Sequence, residues 1–128
     1  MKTRSTVVLS VLAGIAFGAA AVQGLHAQAK PKAYVVSETE VLDAAALAPY
    51  SPLAAAATKA AGAIRLASAG GKIVALVGDA PKRITITQWE SVEKAQAYRD
   101  SEAYKNLAPQ RDKAIKRIRA YIVEGVAN

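Results

Sequence analysis

Between residues 33 and 41 the chain reads AYVVSETEV, a β-branched run that predicts an extended strand. Asp43 follows it and stands as an N-cap before an alanine-rich helical stretch. Pro49 and Pro52 interrupt that stretch. With Ser51 as a cap and Pro52 at the first helical position, the main helix is expected from Pro52 to about Ala61, stopping at Gly62. IRLASAGGKIVALVGD, residues 64–79, predicts an extended segment bent at Gly70-Gly71 and closed by the turn GDAPK. RITITQW, residues 83–89, alternates, with Ile84 and Ile86 on one face and Thr85, Thr87 and Trp89 on the other. Ser91 caps a second helix that opens VEKAQAYR, and IRAYIVEGV, residues 118–126, forms the last strand.

The order strand, helix, strand, strand, helix, strand is the split βαβ plan. It predicts an α+β fold of the ferredoxin-like βαββαβ type, an antiparallel sheet with both helices on one face. The opposite face is not that of a wetted sheet. In the last strand Ile118, Ala120 and Ile122 point one way while Tyr121 and Val123 point the other, so both faces want cover. Two helices cover one. A second copy of the sheet would cover the other, which predicts a homodimer with a closed, barrel-like interior, a dimeric α+β barrel.

The amino terminus changes which residues belong to the working protein. Lys2 and Arg4 precede VVLSVLAGIAFGAAAV, residues 7–22, which holds no ionisable side chain, and Ala27-x-Ala29 supplies small residues for cleavage. Residues 1–29 thus read as a secretory signal peptide and short linker, and residues 30–128 as one domain. The apolar run falls short of the roughly 20 residues that span a bilayer, and no stable membrane insertion is expected after cleavage. The expected location is periplasmic or secreted.

Cleavage also narrows the chemistry. His26, the single histidine, leaves with the leader, and the chain has no cysteine. Zinc, copper and iron–sulfur ligand sets, axial haem ligation by His or Cys, and Ser-His or Cys-His pairs are then excluded, and no cofactor or metal is expected. The full chain carries 17 basic and 10 acidic residues. Without Lys2 and Arg4 the excess is near +5, which outside the cytoplasm suits anionic envelope components, and no aromatic-interleaved basic stripe points to nucleic acid. Glu38 and Glu40 share a strand face without a loop of oxygen ligands, and Gly70-Gly71 lacks the Lys-Ser/Thr and helix start of a phosphate cradle.

RLASAGG (65–71), ITQWES (86–91), AYRDSEAYKNLAPQR (97–111) and YIVEG (121–125) together resemble the domain-of-unknown-function family numbered 1330, from about Tyr34 to Val126. The resemblance rests on Ser91 and Ala95, Tyr98, the Ser101-Glu102-x-Tyr104 turn, Arg111 and the closing Glu124-Gly125. It implies a small dimeric α+β barrel protein. The wider superfamily spans cofactor-free monooxygenases, haem-degrading enzymes, isomerases and ligand-binding proteins, so the fold does not choose the function.

Without histidine, proton transfer falls to a buried carboxylate or a buried lysine, and Glu124 and Glu90 are the catalytic candidates together with Arg111. Arg111 offers a fork of donors for a carboxylate or an enolate, Tyr98 and Tyr104 offer hydroxyls, and Trp89 offers a flat apolar wall. These four are the ligand-binding candidates. One regular helix after Ser101 would align Tyr104, Leu107, Arg111 and Ile115, but Pro109 disfavours such a helix, and Arg111 needs a partner that Glu124, Asp100 or a backbone carbonyl could equally supply. Two functions follow: an exported dimer that binds a small anionic or aromatic molecule without transforming it or serves a structural role in the envelope, or a cofactor-independent monooxygenase or isomerase acting on an activated carbon acid. Trp89 and the tyrosines serve packing equally well in either case.

Overall fold

The computed structural model describes residues 30–67 and 70–127. The leader expected over residues 1–29, with His26, lies outside them.

Strand β1 (Ala33–Val41), first in the chain, is interior in the sheet, because it pairs antiparallel with β3 (Arg83–Trp89) on one side and β4 (Ile115–Glu124) on the other. The short β2 (Ile64–Ala67) adds to the free edge of β3, giving the order β2-β3-β1-β4. This is the antiparallel ferredoxin-like α+β arrangement that alternation and element order predict. Ala33 and Val35 of β1 are buried on the helix-bearing face, while Val36 sits between Ile86 and Tyr121 on the other. Residues 33–41 and 83–89 form strands at the bounds their alternation indicates.

Helix α1 (Ala44–Ala60) starts where Asp43 caps it, with the carboxylate accepting from the amides of Ala45 (2.9 Å) and Ala46 (3.3 Å). The two prolines do not interrupt it. Each removes one helical hydrogen bond, to the carbonyls of Ala45 and Ala48, but both prolines and both alanines are exposed, so water can satisfy the freed oxygens. The alanine-rich sequence, with high helix propensity, carries the helix through. Its inward stripe is Ala46, Leu47, Tyr50, Ala54 and Ala57.

Three other elements depart from the sequence reading. Residues 64–79 are not one extended segment: β2 ends at Ala67, and residues 71–80 are irregular with Leu76 and Val77 almost wholly exposed. The pairing of β2 with β3 shifts register between Arg65 and Ala67, and the later apolar residues from 71 on pair with no strand. The segment after Ser101 is two helices, α3 (Glu102–Lys105) and α4 (Ala108–Ala114), following α2 (Val92–Asp100). Ser91 caps α2, as its sequence indicates, by accepting from the Lys94 amide at 3.2 Å. Pro109 lies in the first turn of α4, where a missing N–H is harmless, so the break falls before it. Finally, β4 begins at Ile115, three residues earlier than alternation suggests, because α4 passes into it without a loop and the Ala114 carbonyl accepts from the Leu42 amide at 2.9 Å.

Residues from Pro31 onward form one compact unit with a divided interior. One cluster joins Ala33, Val35, Trp89, Ala95 and Tyr98, and a second joins Tyr50, Ala114 and Ile115. No large side chain among the described residues is fully buried, and the space between sheet and helices is partly hollow.

Gly125 ties the end of β4 to the start of β1. Its amide donates to the Lys32 carbonyl at 2.6 Å, and a Cβ there would lie 2.9 Å from both that oxygen and the Tyr34 ring. Backbone cannot yield as a side chain does, so Gly125→Ala is expected to cost about 1–3 kcal/mol and lower the melting temperature by roughly 4–8 °C per kcal/mol. Calorimetry checks this, and an unchanged melting temperature would contradict the close approach.

Candidate functional site: an arginine-lined cavity

The helix-facing side of the sheet carries an unusual set of residues for a core. From β1 it presents Val35, Ser37 and Thr39, and from β3 Arg83, Thr85, Thr87 and Trp89. With the helices it encloses a cavity of about 280 Å³. Arg65 reaches the same space from β2, where it opposes Thr87. Arg117 reaches it from β4 through a bulge. Glu38 opposes Arg119 and Thr39 opposes Arg117, leaving Ile118 as the extra residue, so arginines two positions apart point to opposite faces. On the outer face Arg119 pairs with Glu38 at 2.7 Å; on the inner face Arg117 enters the cavity.

The helices supply the aromatic and cationic remainder. Ala95, Tyr98 and Arg99 sit at helical spacing on α2 and all face inward. Tyr98 stacks on Trp89 with centroids 5.2 Å apart and meets the Tyr104 ring edge-on at 5.5 Å. The Trp89 indole N–H donates to Thr87 Oγ1 at 2.9 Å, which fixes the ring plane. Ser101 joins α2 to α3, donating to the Tyr98 carbonyl at 2.6 Å and accepting from the Tyr104 amide at 3.3 Å. Tyr104 is thereby held at the cavity wall.

Around Tyr104 three guanidinium groups gather. Arg111 lies 3.9 Å from the ring centroid, Arg99 4.9 Å and Arg117 5.8 Å. Arg99 also donates to the Tyr104 hydroxyl at 2.7 Å. Arg111 is 7% exposed; it donates through one terminal nitrogen to the Tyr104 carbonyl at 2.7 Å and through Nε to the Tyr50 hydroxyl at 3.3 Å. Burial lowers the affinity of Arg99 for its proton, with Arg117 and Arg111 adding repulsion and Tyr104 opposing it. Burial acts on Arg83 in the same direction, reinforced by Arg65 and opposed by Tyr50. The Tyr98 hydroxyl is pushed above the ordinary tyrosine range, first by burial and then by Tyr50, which makes it a poor base.

The four ligand-binding candidates, Trp89, Tyr98, Tyr104 and Arg111, all line this one cavity. The partners of Arg111 are a carbonyl and a tyrosine hydroxyl; neither Glu124 nor Asp100 is among them. Glu90 and Glu124 are exposed and do not line the cavity, and no carboxylate appears among its described lining residues. The ion pairs Lys82–Glu40 and Arg119–Glu38 lie elsewhere. No cluster of acidic, histidine or cysteine side chains that could hold a metal occurs among the described residues. The cavity also sits between sheet and helices, not on the bare sheet face that a second copy would close.

Sequence reasoning did not single out Tyr50, Arg65, Arg83, Arg99 or Arg117. Arg83 shares strand parity with Thr85, Thr87 and Trp89, and Arg99 follows Ala95 by four positions, so both were detectable by periodicity. Arg117 was not, because the bulge reverses its face.

A family model described as "Domain of unknown function (DUF1330)" matches residues 32–126. The fold is similar to the crystal structure of a protein of unknown function from Rhodopseudomonas palustris (TM-score 0.61, 13% identity, covering 83% of this chain and 92% of that one). A methylated form of that protein gives a TM-score of 0.58 at 13% identity, with 83% and 90% covered. A conserved protein from Methanosarcina mazei Go1 reaches 0.48 at 15% identity, with 80% and 99% covered. No curated protein matches the sequence. At these identities the structural likeness speaks to fold alone, whereas the family match spans nearly all of the described residues, and the chain belongs to the DUF1330 family.

Proposed function

We propose that the protein is an exported homodimer that binds a small anion with an apolar or aromatic body. The observation that carries this reading is the cavity wall: Arg65, Arg83, Arg99, Arg111 and Arg117 face one space with no carboxylate among its described lining residues. Like charges gathered in a partly desolvated site repel one another, and a bound anion would relieve that repulsion. Trp89 and Tyr98, stacked together, form the apolar surface against which a ring or short chain would lie.

The alternative, a cofactor-independent oxygenase or isomerase, needs a base at the reacting carbon. Its glutamate candidates, Glu90 and Glu124, are outside the cavity, and Tyr98 holds its proton more tightly than usual. Binding therefore accounts for more of the site than proton abstraction does.

Dimerisation is supported by the outer sheet face. Val36, Ile84, Ile86, Ile64, Tyr121 and Val123 form an apolar surface with no covering helix among the described residues, and Ile64, Tyr121 and Val123 are each about half exposed. Export rests on the charge and hydropathy pattern of residues 1–29. No helix among the described residues is long and apolar enough to cross a membrane.

Trp89 is the single tryptophan of the chain and lines the cavity, so its fluorescence reports occupancy. A saturable change is expected with a small aromatic anion such as benzoate or phenyl phosphate and none with neutral benzyl alcohol. Arg111→Met should weaken the response by about tenfold or more, the scale of a lost charge-assisted hydrogen bond. Absence of any anion response sinks the binding reading.

Light scattering and amino-terminal sequencing of one sample from the native host address the rest. The expected result is twice the mature chain mass, a start at Gln28 or Lys30, and a monomer for Ile86→Glu. A monomeric wild type, or a retained Met1, would contradict the respective part.

A further inference from the structure

The arginines are not spread evenly along the cavity read above as an anion site. Arg99 from α2, Arg111 from α4 and Arg117 from β4 lie within 5.8 Å of the Tyr104 ring centre, so three guanidinium groups converge from three different elements. Their donors are only partly engaged. Arg111 commits two to Tyr50 and Tyr104, and Arg99 commits one to the Tyr104 hydroxyl. Arg117 makes no hydrogen bond or ion pair to protein among the described residues. Thr39, opposite Arg117 in the sheet, adds a hydroxyl facing the same space.

The geometry of the acceptor follows from that arrangement. A carboxylate has two oxygens with lone pairs in one plane and one unit of charge, so it suits one fork side-on and a second end-on. Three forks from a helix, a second helix and a strand call for acceptor oxygens in three directions. A terminal phosphoryl group has them, with close to two units of charge at neutral pH. The cavity, about 280 Å³, holds the volume of about nine waters, room for one ring or short chain beside such a group.

We propose that the cavity takes a small phosphomonoester, with its dianionic phosphoryl group seated among Arg99, Arg111 and Arg117 and its apolar part along Trp89 and Tyr98. This rests on the anion-binding reading and specifies its ligand class. It also carries a pH signature. The charged and titratable groups around the seat are these three arginines, Arg65 and Arg83 from β2 and β3, Tyr50 from α1, and Tyr98 and Tyr104. Arginine and tyrosine as residue types do not titrate between pH 5 and 8, whereas the second ionisation of a phosphomonoester lies near 6. Any change of affinity in that range belongs to the ligand.

Trp89 fluorescence titrations of the full chain with phenyl phosphate, benzoate and inorganic phosphate test this. At pH 7.5 phenyl phosphate is expected to bind at least about tenfold tighter than benzoate, and its advantage to fall as pH drops through about 6. Arg117→Gln should weaken phenyl phosphate by about tenfold and benzoate by less. Lys116→Gln removes the same charge from the outer sheet face and should alter neither. Benzoate binding as tightly as phenyl phosphate, with a flat pH profile, overturns the phosphoryl assignment and leaves the anion cavity standing. Inorganic phosphate binding as tightly as phenyl phosphate overturns the ester part. No saturable response to any of the three overturns both readings.

Discussion

Arg111 and Tyr104 hold the site together. The Arg111 guanidinium lies 3.9 Å from the Tyr104 ring centre and donates to the Tyr104 backbone carbonyl at 2.7 Å. That carbonyl belongs to the last turn of α3, where the helix breaks before Pro109; it accepts from the Leu107 amide at 3.3 Å and takes a second, shorter bond from the α4 side chain. The same guanidinium reaches Tyr50 on α1. One residue thus fastens three helices to a common point. The Tyr104 ring then becomes the surface toward which Arg99 and Arg117 turn, and the Tyr98–Trp89 stack continues from it to the sheet.

The consequence is a wall that works against the fold. Five arginines surround a cavity of about 280 Å³ with no carboxylate in the described lining; they repel one another, and Arg83, Arg99 and Arg111 also lose hydration, whereas Arg65 and Arg117 stay exposed. The core clusters on either side are small, and the hollow between them forgoes packing that a filled interior would have. Sites of this kind are retained where binding needs them, because residues chosen for folding alone would have placed acids beside these arginines or replaced them. Arg119 makes the contrast: on the outer face, two residues from Arg117, it has its carboxylate partner in Glu38.

Much of the architecture was legible in the chain. Alternation in RITITQW and the β-branched run at Ala33–Val41 gave strands with the observed bounds, and Asp43 and Ser91 cap the helices they precede. Local rules failed where tertiary context outweighed them. Pro49 and Pro52 stay helical because their freed carbonyls face water, and residues 71–80 stay irregular because no neighbouring strand reaches them. In the site, Trp89, Tyr98, Tyr104 and Arg111 carried enough chemistry to be singled out, and they do meet. Arg65, Arg83, Arg99 and Arg117 belong to four different elements, so the arginine wall exists only after folding. A bulge at Ile118, invisible to periodicity, decides the direction of Arg117.

The central claim is that Arg65, Arg83, Arg99 and Arg117, gathered around the helix-fastening Arg111, are held for an anion rather than for the fold. The most direct measurement is the melting temperature of Arg83→Gln in low-salt buffer without added oxyanion. Arg83 is half-buried, has no carboxylate partner among the described residues, and lies against the repulsion of Arg65. Removing its charge should raise the melting temperature of the empty protein while reducing the stabilisation that a bound anion confers. A lower melting temperature with anion stabilisation intact would mean that the arginine wall serves the structure, and would contradict the account.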